Sequence, residues 1–333
     1  MTERHLLVMR LGSLGDIVHA FPAVCGLRNS FRTFPIVWLT HPKWEFLVKT
    51  SGLAAEVWTV DTRNWGNVRS ILKRIRAHRF EAAIDYQGLW KSAAIPFLAG
   101  VPRRIGFSSE TVREAGVPLL YTDRVRVNVG RHVADQNGEL SARAGASIPV
   151  GPVQLQVQAE DQQIVSARLQ AEGIDEYVVL SPGGGWRSKC WPVERYGALA
   201  ERITEEFAVR CVINVGPGEE HLAAGIANTS GKAEPVSFAG SLGQLMALLK
   251  NARAVVAGDT GPLHLADALG TKVVAIFGPT DPVRNGPYQK NGVVLRWSQA
   301  QTTYKRGAQP DESLLHVSVD EVMGELRGLR QSA

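Results

Sequence analysis

The chain has 333 residues, of which 44% are hydrophobic and 21% charged, and its formal net charge is +5. This length exceeds what one hydrophobic core usually supports, so we expect two domains, and no apolar run approaches the ~20 residues that a membrane-spanning helix needs. The positive charge favours an anionic partner, which is a phosphate, an acidic lipid surface or a nucleic acid.

Strand-like and helix-like segments alternate through the first half of the chain. The spacing of apolar residues predicts strands at 6–9, 36–39, 55–60, 82–85 and 104–107, and helices at 17–28, 42–50, 68–78, 88–99 and 132–144. Residues 147–157 contain two prolines and no clear periodicity, which makes them the best linker.

The alternation restarts after this linker. We predict helices at 161–171, 193–206, 219–228, 242–251, 263–269 and 319–329, and strands at 177–181, 209–214, 236–238, 254–258 and 273–277. Two blocks of alternating strands and helices indicate an α/β protein with two doubly wound domains and a cleft between them. The expected domains are residues 1–152 and 153–333.

The most informative segment begins where the predicted strand 254–258 ends. Asp259, Thr260, Gly261 and Pro262 follow that strand, and a short amphipathic stretch follows them. Proline is well tolerated in the first turn of a helix, and a helix start offers unpaired N–H groups and the positive end of a dipole. The segment therefore predicts an anion site, most naturally for a phosphate. A structural turn capped by Asp259 or Thr260 is the plain alternative.

A second glycine-rich turn follows the predicted strand 177–181. Gly183, Gly184 and Gly185 come after this strand, and Lys189 lies four residues further on. A backbone-lined pocket beside a mobile cation suits a diphosphate. A flexible loop with a solvated lysine is the alternative.

The first predicted strand leads into a third turn, residues 11–16. Its glycines do not match the dinucleotide pattern, so the turn alone is weak evidence. Asp16 either caps the following helix or projects from the domain edge as a general base.

In this order and spacing, the segments resemble glycosyltransferase family 9, and within it the lipopolysaccharide heptosyltransferases, most closely the heptosyltransferase I type. The resemblance covers nearly the whole chain and is less specific for the sugar than for the family. Its motifs are RLGSLGDI at 10–17, DYQGLWKS at 85–92, KCWP at 189–192, GDTGPLHLA at 258–266 and FGPTDP at 277–282.

This resemblance implies a GT-B fold, with two Rossmann-like domains that face each other across a cleft. The first domain would bind the acceptor and the second the nucleotide sugar. Asp16 would be the catalytic base, and Lys189 would stabilise the donor diphosphate. The implied donor-binding residues are Gly184, Gly185, Lys189, Glu220, Asp259, Thr260, Gly261, Pro262 and His264. The implied acceptor-binding residues are Arg10, Arg63, Gln87, Lys91 and Arg113.

The implied activity is inverting transfer of L-glycero-D-manno-heptose from ADP-heptose to the Kdo region of lipid A. The partners would be the ADP-activated donor, an anionic lipid-linked acceptor and the inner-membrane surface. Two alternatives stay open: a family member with another nucleotide sugar or acceptor, and a non-catalytic protein that binds nucleotide sugars or nucleic acid. The presence of both Asp16 and Lys189 argues against the latter, and the basic segments lack the interleaved aromatic residues typical of nucleic-acid binding.

No Asp-x-Asp motif and no cluster with metal-ligand spacing is present, so we predict metal-independent catalysis without a cofactor. The three cysteines are scattered and predict reduced thiols. Because no signal peptide is evident, we expect a cytoplasmic enzyme, peripheral on the inner membrane.

A basic helix at 69–79 carries apolar residues at 71, 72 and 75. With Arg63, Arg103, Arg104 and Arg113 it predicts a positive rim for a phosphorylated lipid acceptor or an anionic leaflet. A solvated amphipathic helix is the alternative.

Overall fold

The computed structural model describes residues 4–148, 153, 155–289, 291–303 and 305–331. The chain divides into two compact units, Met1–Gln156 and Val157–Ala333. Residues 149–152 and 154 of the predicted linker, which include both of its prolines, lie outside the described residues.

The first unit contains six strands and six α-helices within the described residues. The strands are β1 His5–Met9, β2 Ile36–Thr40, β3 Glu56–Thr59, β4 Phe80–Asp85, β5 Arg103–Phe107 and β6 Asp123–Val125. The helices are α1 Leu14–Val18, α2 Phe21–Ser30, α3 Glu45–Thr50, α4 Trp65–Ala77, α5 Trp90–Leu98 and α6 Val133–Ala144. Short 3₁₀ helices cover Pro42–Trp44 and Val117–Leu120.

The second unit repeats this alternation. Its strands are β7 Tyr177–Ser181, β8 Arg210–Asn214, β9 Val236–Phe238, β10 Ala254–Gly258, β11 Val273–Phe277 and β12 Gly292–Arg296. Its helices are α7 Ala159–Ala171, α8 Val193–Phe207, α9 Glu220–Thr229, α10 Leu242–Lys250, α11 Gly261–Ala268, α12 Pro282–Asn285, α13 Glu312–Leu315 and α14 Val319–Gln331. A 3₁₀ helix covers Arg187–Lys189.

Each unit has one six-stranded parallel sheet. The strand orders are β3-β2-β1-β4-β5-β6 and β12-β11-β10-β7-β8-β9. Both are the doubly wound Rossmann order, so the predicted α/β class with two Rossmann-like sheets is confirmed. The central strands are continuous apolar runs because helices cover both faces: every residue of β7, β10 and β11 is buried.

Several elements differ from the expectation. The short helices α12 and α13 were not predicted, and the helix predicted at 42–50 is a 3₁₀ helix followed by α3. The helix predicted at 17–28 is two helices, since α1 ends at Val18 and α2 begins at Phe21 with Pro22 in its first turn, where proline's missing N–H costs least. Strands β6 and β12 were not predicted. Both lie at a sheet edge and are only partly buried, so their sequences lack a strong apolar signal.

The strand order determines where a ligand site belongs in each unit. In a doubly wound sheet, ligands bind beyond the carboxyl ends of the strands, at the point where the order of strands reverses. In the first unit that point lies between β1 and β4, and in the second it lies between β7 and β10. All three glycine-rich turns singled out in the sequence leave from these strands.

Candidate active site

Asp16 lies at the switch point of the first unit, in the first turn of α1. One carboxylate oxygen, Oδ2, accepts hydrogen bonds from the N–H of Ser13 at 2.9 Å and from its hydroxyl at 3.0 Å. The other, Oδ1, lies 2.5 Å from Nη2 of Arg10. The side chain of Asp16 keeps 43% of its surface exposed. The carboxylate thus caps the helix and still remains accessible to solvent.

Arg10 is a buried cation that positions Asp16. Its Nη1 donates to the carbonyl of Tyr86, in the loop after β4. Trp38 Nε1 donates to the carbonyl of Arg10 at 3.3 Å, which fixes the backbone at the same point. The side chain of Arg10 is only 7% exposed, and its guanidinium contacts Asp16 and the carbonyl of Tyr86. Its contact with the acceptor stays a prediction.

The loop after β4 is braced by the buried carboxylate of Asp85. Asp85 accepts hydrogen bonds from the hydroxyls of Tyr121 at 2.7 Å and Ser92 at 2.8 Å, and from the N–H of Gln87 at 2.8 Å. Burial raises the pKa of the Asp85 carboxyl, and this effect is larger than that of the hydrogen bonds, which lower the pKa. Tyr121 is a supporting residue that the sequence did not reveal, because it lies 36 positions away.

The other predicted acceptor residues fall into two groups. Gln87 is half-buried, and its Oε1 accepts from the N–H of Leu11 at 2.8 Å, so it ties the β1 and β4 loops together. Arg63 is exposed and pairs with Asp61, with Nε and Oδ1 3.2 Å apart. Lys91 and Arg113 are also exposed. The structure brings only Arg10 and Gln87 to the Asp16 loop.

In the second unit, Lys189 and Asp259 meet because β7 and β10 are neighbours. Lys189 Nζ lies 2.8 Å from Asp259 Oδ2, and His264 Nε2 lies 3.1 Å from Asp259 Oδ1. Burial alone would raise the pKa of the Asp259 carboxyl. The hydrogen bond with His264 and the Lys189 ammonium overcome it and hold that pKa well below its usual range. Asp259 therefore orients two basic side chains, and both of its oxygens are engaged.

The start of α11 has the predicted features of an anion site. Thr260 is extended and precedes the helix, and Pro262 lies in the first turn. The Thr260 side chain is buried, and among the described residues its Oγ1 has no hydrogen-bond partner. A buried hydroxyl without a partner beside free helical N–H groups is suited to a phosphate oxygen. Gly261 and Pro262 are half-buried at this point.

The glycine-rich loop lies beside a carboxylate, but that carboxylate belongs to Glu219. A Cβ atom added to Gly183 would lie 2.0 Å from Glu219 Oε1, so any larger residue would require the Glu219 carboxylate to move away. Glu219 Oε2 accepts from the N–H of Gly216 at 2.9 Å. Glu220, the predicted residue, begins α9 and is exposed. Sequence reasoning missed Glu219 because the helix boundary decides which of the two carboxylates faces the loop.

Two cations approach the indole ring of Trp186, which follows the glycine loop. Lys189 Nζ lies 4.6 Å from the ring centroid and the Arg306 guanidinium 5.2 Å. Gly184 is half-buried and Gly185 exposed, so backbone N–H groups of this loop remain accessible. Burial raises the pKa of the neighbouring Cys190 thiol, as expected of an unactivated thiol.

Asp259→Asn should destabilise the protein because it leaves the Lys189 ammonium without its buried partner. Removing one partner of such a pair costs about 3 kcal/mol, which corresponds to a melting temperature lower by about 6–12 °C for a unit of this size. The pKa of the Asp259 carboxyl is lower in the folded than in the unfolded protein. The pair therefore stabilises the fold fully at pH values above the unfolded-state pKa, and this stabilisation is lost as the pH falls toward the folded-state pKa. Thermal unfolding at neutral pH measures the effect.

The matched control is Asp320→Asn. Asp320 pairs with Arg202, but its side chain is 83% exposed, so little change is expected. Equal melting temperatures for both variants would show that the Asp259 pair contributes no more than a surface pair.

The described residues offer neither a metal-ligand cluster nor a membrane-spanning helix. They contain no group of three or more His, Cys, Asp or Glu side chains placed to hold a metal ion. None of their helices is long and apolar enough to span a bilayer.

Comparison with known proteins assigns the chain to a family. Residues 68–315 match the family described as glycosyltransferase family 9 (heptosyltransferase). Lipopolysaccharide heptosyltransferase 1 of Pseudomonas aeruginosa is 28% identical over 304 residues, which are 87% of this chain and 83% of that protein. Lipopolysaccharide heptosyltransferase 1 of Escherichia coli K12 is 26% identical over 336 residues, which are 97% and 99% of the two chains.

A solved structure agrees with these relatives. The structure of E. coli heptosyltransferase WaaC with ADP superposes with a TM-score of 0.77 at 25% identity and covers 98% of this chain and 99% of that one. The predicted GT-B fold class and the predicted resemblance to the lipopolysaccharide heptosyltransferases are thereby confirmed. Since the family match extends over more than half of the chain, this protein is an enzyme of glycosyltransferase family 9, the heptosyltransferase family.

Proposed function

We propose that this enzyme transfers L-glycero-D-manno-heptose from ADP-heptose to the Kdo region of lipid A during synthesis of the lipopolysaccharide inner core. The names of the relatives support the heptose and the lipopolysaccharide acceptor, and the ADP in the WaaC structure supports the nucleotide. The observation that carries the proposal is the start of α11, where the unpartnered Thr260 hydroxyl and the Lys189–Asp259 pair lie at a sheet switch point.

The donor side of the reaction needs positive charge at the diphosphate. When the bond between the anomeric carbon and the diphosphate oxygen breaks, the electron pair stays on the diphosphate. Lys189 has three N–H donors and uses one toward Asp259, so donors remain for a phosphate oxygen. The N–H groups at the start of α11 and the Thr260 hydroxyl add to this stabilisation, which strengthens as the charge develops.

The rest of the donor site follows from the neighbouring loops. We keep Gly184, Gly185, Gly261, Pro262 and His264 as donor-binding residues. For the ribose hydroxyls we extend the prediction for Glu220 to Glu219, because Glu219 contacts the glycine loop. A carboxylate can accept two hydrogen bonds from a diol at once.

The acceptor side needs a base. In a single displacement the acceptor hydroxyl attacks the anomeric carbon, its proton passes to Asp16, and the configuration at that carbon inverts. Arg10 and Ser13 hold the carboxylate in place, and its exposed surface leaves room for the hydroxyl. Arg63, Gln87, Lys91 and Arg113 are the proposed acceptor-binding residues, three of them exposed cations suited to a phosphorylated lipid. Such an acceptor implies work at the cytoplasmic face of the inner membrane.

We predict that activity survives excess EDTA. In this proposal Lys189 and the α11 start neutralise the diphosphate, a task that a divalent cation has in other transferases. The measurement is the initial rate with and without EDTA, at fixed donor and acceptor. A loss of activity that magnesium or manganese restores would contradict metal-independent catalysis.

Ligand-induced thermal shift tests the nucleotide. ADP should raise the melting temperature, by an amount that grows with its concentration, because it binds only the folded protein. UDP, GDP and dTDP at the same concentration should shift it less. An equal or larger shift with another nucleotide would favour a family member with a different donor, and no shift with any of them would contradict the proposed donor site.

A further inference from the structure

The outer surface of helix α4 combines a large exposed aromatic ring with a row of cations. Trp65 is 83% exposed, the most exposed large hydrophobic side chain among the described residues. Arg69, Lys73 and Arg76 are also exposed. At about 100° per residue, these four side chains fall within about 80° of the helix circumference. We call them, together with Phe97 and Leu98, the α4 face.

The opposite side of α4 accounts for its remaining apolar residues. Val68, Ile71 and Ile75 are buried against the first unit. The helix therefore does not need Trp65 for its packing. Exposure of an indole to water costs free energy in proportion to its apolar area, so the exposed ring indicates a surface that a partner covers.

The charge of the α4 face has one sign. The thirteen residues of α4 include no acidic side chain. Arg74 belongs to another side of the helix, where it pairs with Glu56 at 3.1 Å and stacks on Trp58 at 3.9 Å. Among the described residues, no acidic side chain forms an ion pair with Arg69, Lys73 or Arg76.

The face continues onto the end of α5. Arg76 Nη2 donates to the carbonyl of Leu98 at 2.7 Å, so the two helices meet there. Phe97 is 44% exposed and Leu98 51%, and the Arg104 guanidinium lies 5.4 Å from the Phe97 ring. The face thus has an aromatic ring at the start of α4, three cations along the helix and two apolar side chains at the end of α5. Helix α4 itself is about 20 Å long.

We propose that the α4 face docks onto the surface of a bilayer that contains anionic lipids. Exposed aromatic and aliphatic side chains enter the headgroup region, while cations pair with lipid phosphates. A nucleic acid fits less well. Its bases stack on successive aromatic side chains, and this face has only two aromatic rings, Trp65 and Phe97, at opposite ends. The proposal rests on the proposed function for its biological setting, since a lipid-linked acceptor lies in such a bilayer.

The position of the face within the first unit suits this role. Trp65 begins α4, which follows β3 after a five-residue loop, so it lies toward the carboxyl edge of the sheet, the edge from which the Asp16 loop also leaves. The segments before α4 and after β1 are linked through His41, whose N–H donates to the carbonyl of Leu11 at 3.3 Å and whose Nε2 lies 4.0 Å from Asp61 Oδ1. Docking along the length of α4 would bring its Trp65 end, and with it this edge of the sheet, close to the lipid headgroups.

Vesicle co-sedimentation tests the proposal with the full-length enzyme. The vesicles contain phosphatidylethanolamine and phosphatidylglycerol, with pure phosphatidylcholine as the comparison, and neither holds acceptor. We expect binding to the anionic vesicles that weakens with added salt. Lys73→Glu should weaken it at least fivefold, and Trp65→Ala about tenfold. The matched controls, Lys232→Glu and Val283→Ala, change exposed residues of the second unit and should bind like the parent.

A second readout separates this proposal from the proposed function. Turnover on an acceptor without acyl chains should be the same for Trp65→Ala and the parent, whereas turnover on acceptor embedded in anionic vesicles should fall. The docking face would be wrong if the parent, Lys73→Glu and Trp65→Ala all bound anionic vesicles equally well. It would also be wrong if the parent bound anionic and phosphatidylcholine vesicles equally well, even if heptose transfer is shown. Binding that follows the prediction with no turnover on any acceptor would support the face and overturn the proposed function.

Discussion

Asp16→Asn should abolish turnover while it leaves donor binding nearly intact. Loss of a general base costs on the order of 10²–10⁴ in rate. Asparagine retains an oxygen for the hydrogen bonds from Ser13 but cannot take the proton of the acceptor hydroxyl. The measurements are kcat at saturating donor and acceptor, and ADP binding by calorimetry.

The structure supplies a control that separates the base from the helix cap. Ser13→Ala removes the hydroxyl that donates to Asp16 Oδ2 at 3.0 Å, and it leaves the carboxylate, the Ser13 backbone N–H and Arg10 in place. This variant should lose about 1 kcal/mol of stability and keep most of its kcat. If Asp16→Asn also keeps a near-normal kcat, Asp16 is a cap alone and the base lies elsewhere.

Lys189→Ala should lower both kcat and donor affinity. The ammonium meets a diphosphate whose charge grows as the glycosidic bond breaks, and removal of one such group costs on the order of 10²–10³ in kcat. The structure adds a second effect, because Lys189 also compensates the buried carboxylate of Asp259. The melting temperature should therefore fall as well, which the sequence alone did not predict.

A double variant separates these two roles of Lys189. In Lys189→Ala/Asp259→Asn the unpaired carboxylate is gone, so stability should recover relative to Lys189→Ala, while kcat/KM for the donor stays low. Lys189→Arg should restore stability and only part of the activity, because a planar fork does not replace a compact charge in a backbone-lined pocket. Unchanged kcat/KM in Lys189→Ala would mean that the donor phosphates bind elsewhere.

The sequence predicted the fold well where a pattern is local. The apolar runs at 177–181, 254–258 and 273–277 coincide with β7, β10 and β11, because strands covered on both faces leave a strong signal. Pro262 correctly indicated the start of α11. Edge strands β6 and β12 were missed because their partial burial weakens that signal.

The site was less predictable because its contacts are not local. The ion pair of Lys189 and Asp259 joins residues 70 positions apart and follows from the adjacency of β7 and β10, which only the strand order shows. The same holds for Arg10 and its contact with the carbonyl of Tyr86. Which of Glu219 and Glu220 faces the glycine loop depends on a helix boundary, and one residue is finer than sequence patterns resolve.

The most direct test of heptose transfer is a product assay with Kdo-lipid A as acceptor. ADP-heptose and the ADP-, UDP-, GDP- and dTDP-activated forms of common hexoses are each incubated with the enzyme, and the lipid is analysed by mass spectrometry. We predict that ADP-heptose alone yields an acceptor heavier by one heptose residue, with release of ADP. A product formed from another donor, or none from ADP-heptose while the enzyme remains folded, would contradict the proposed function.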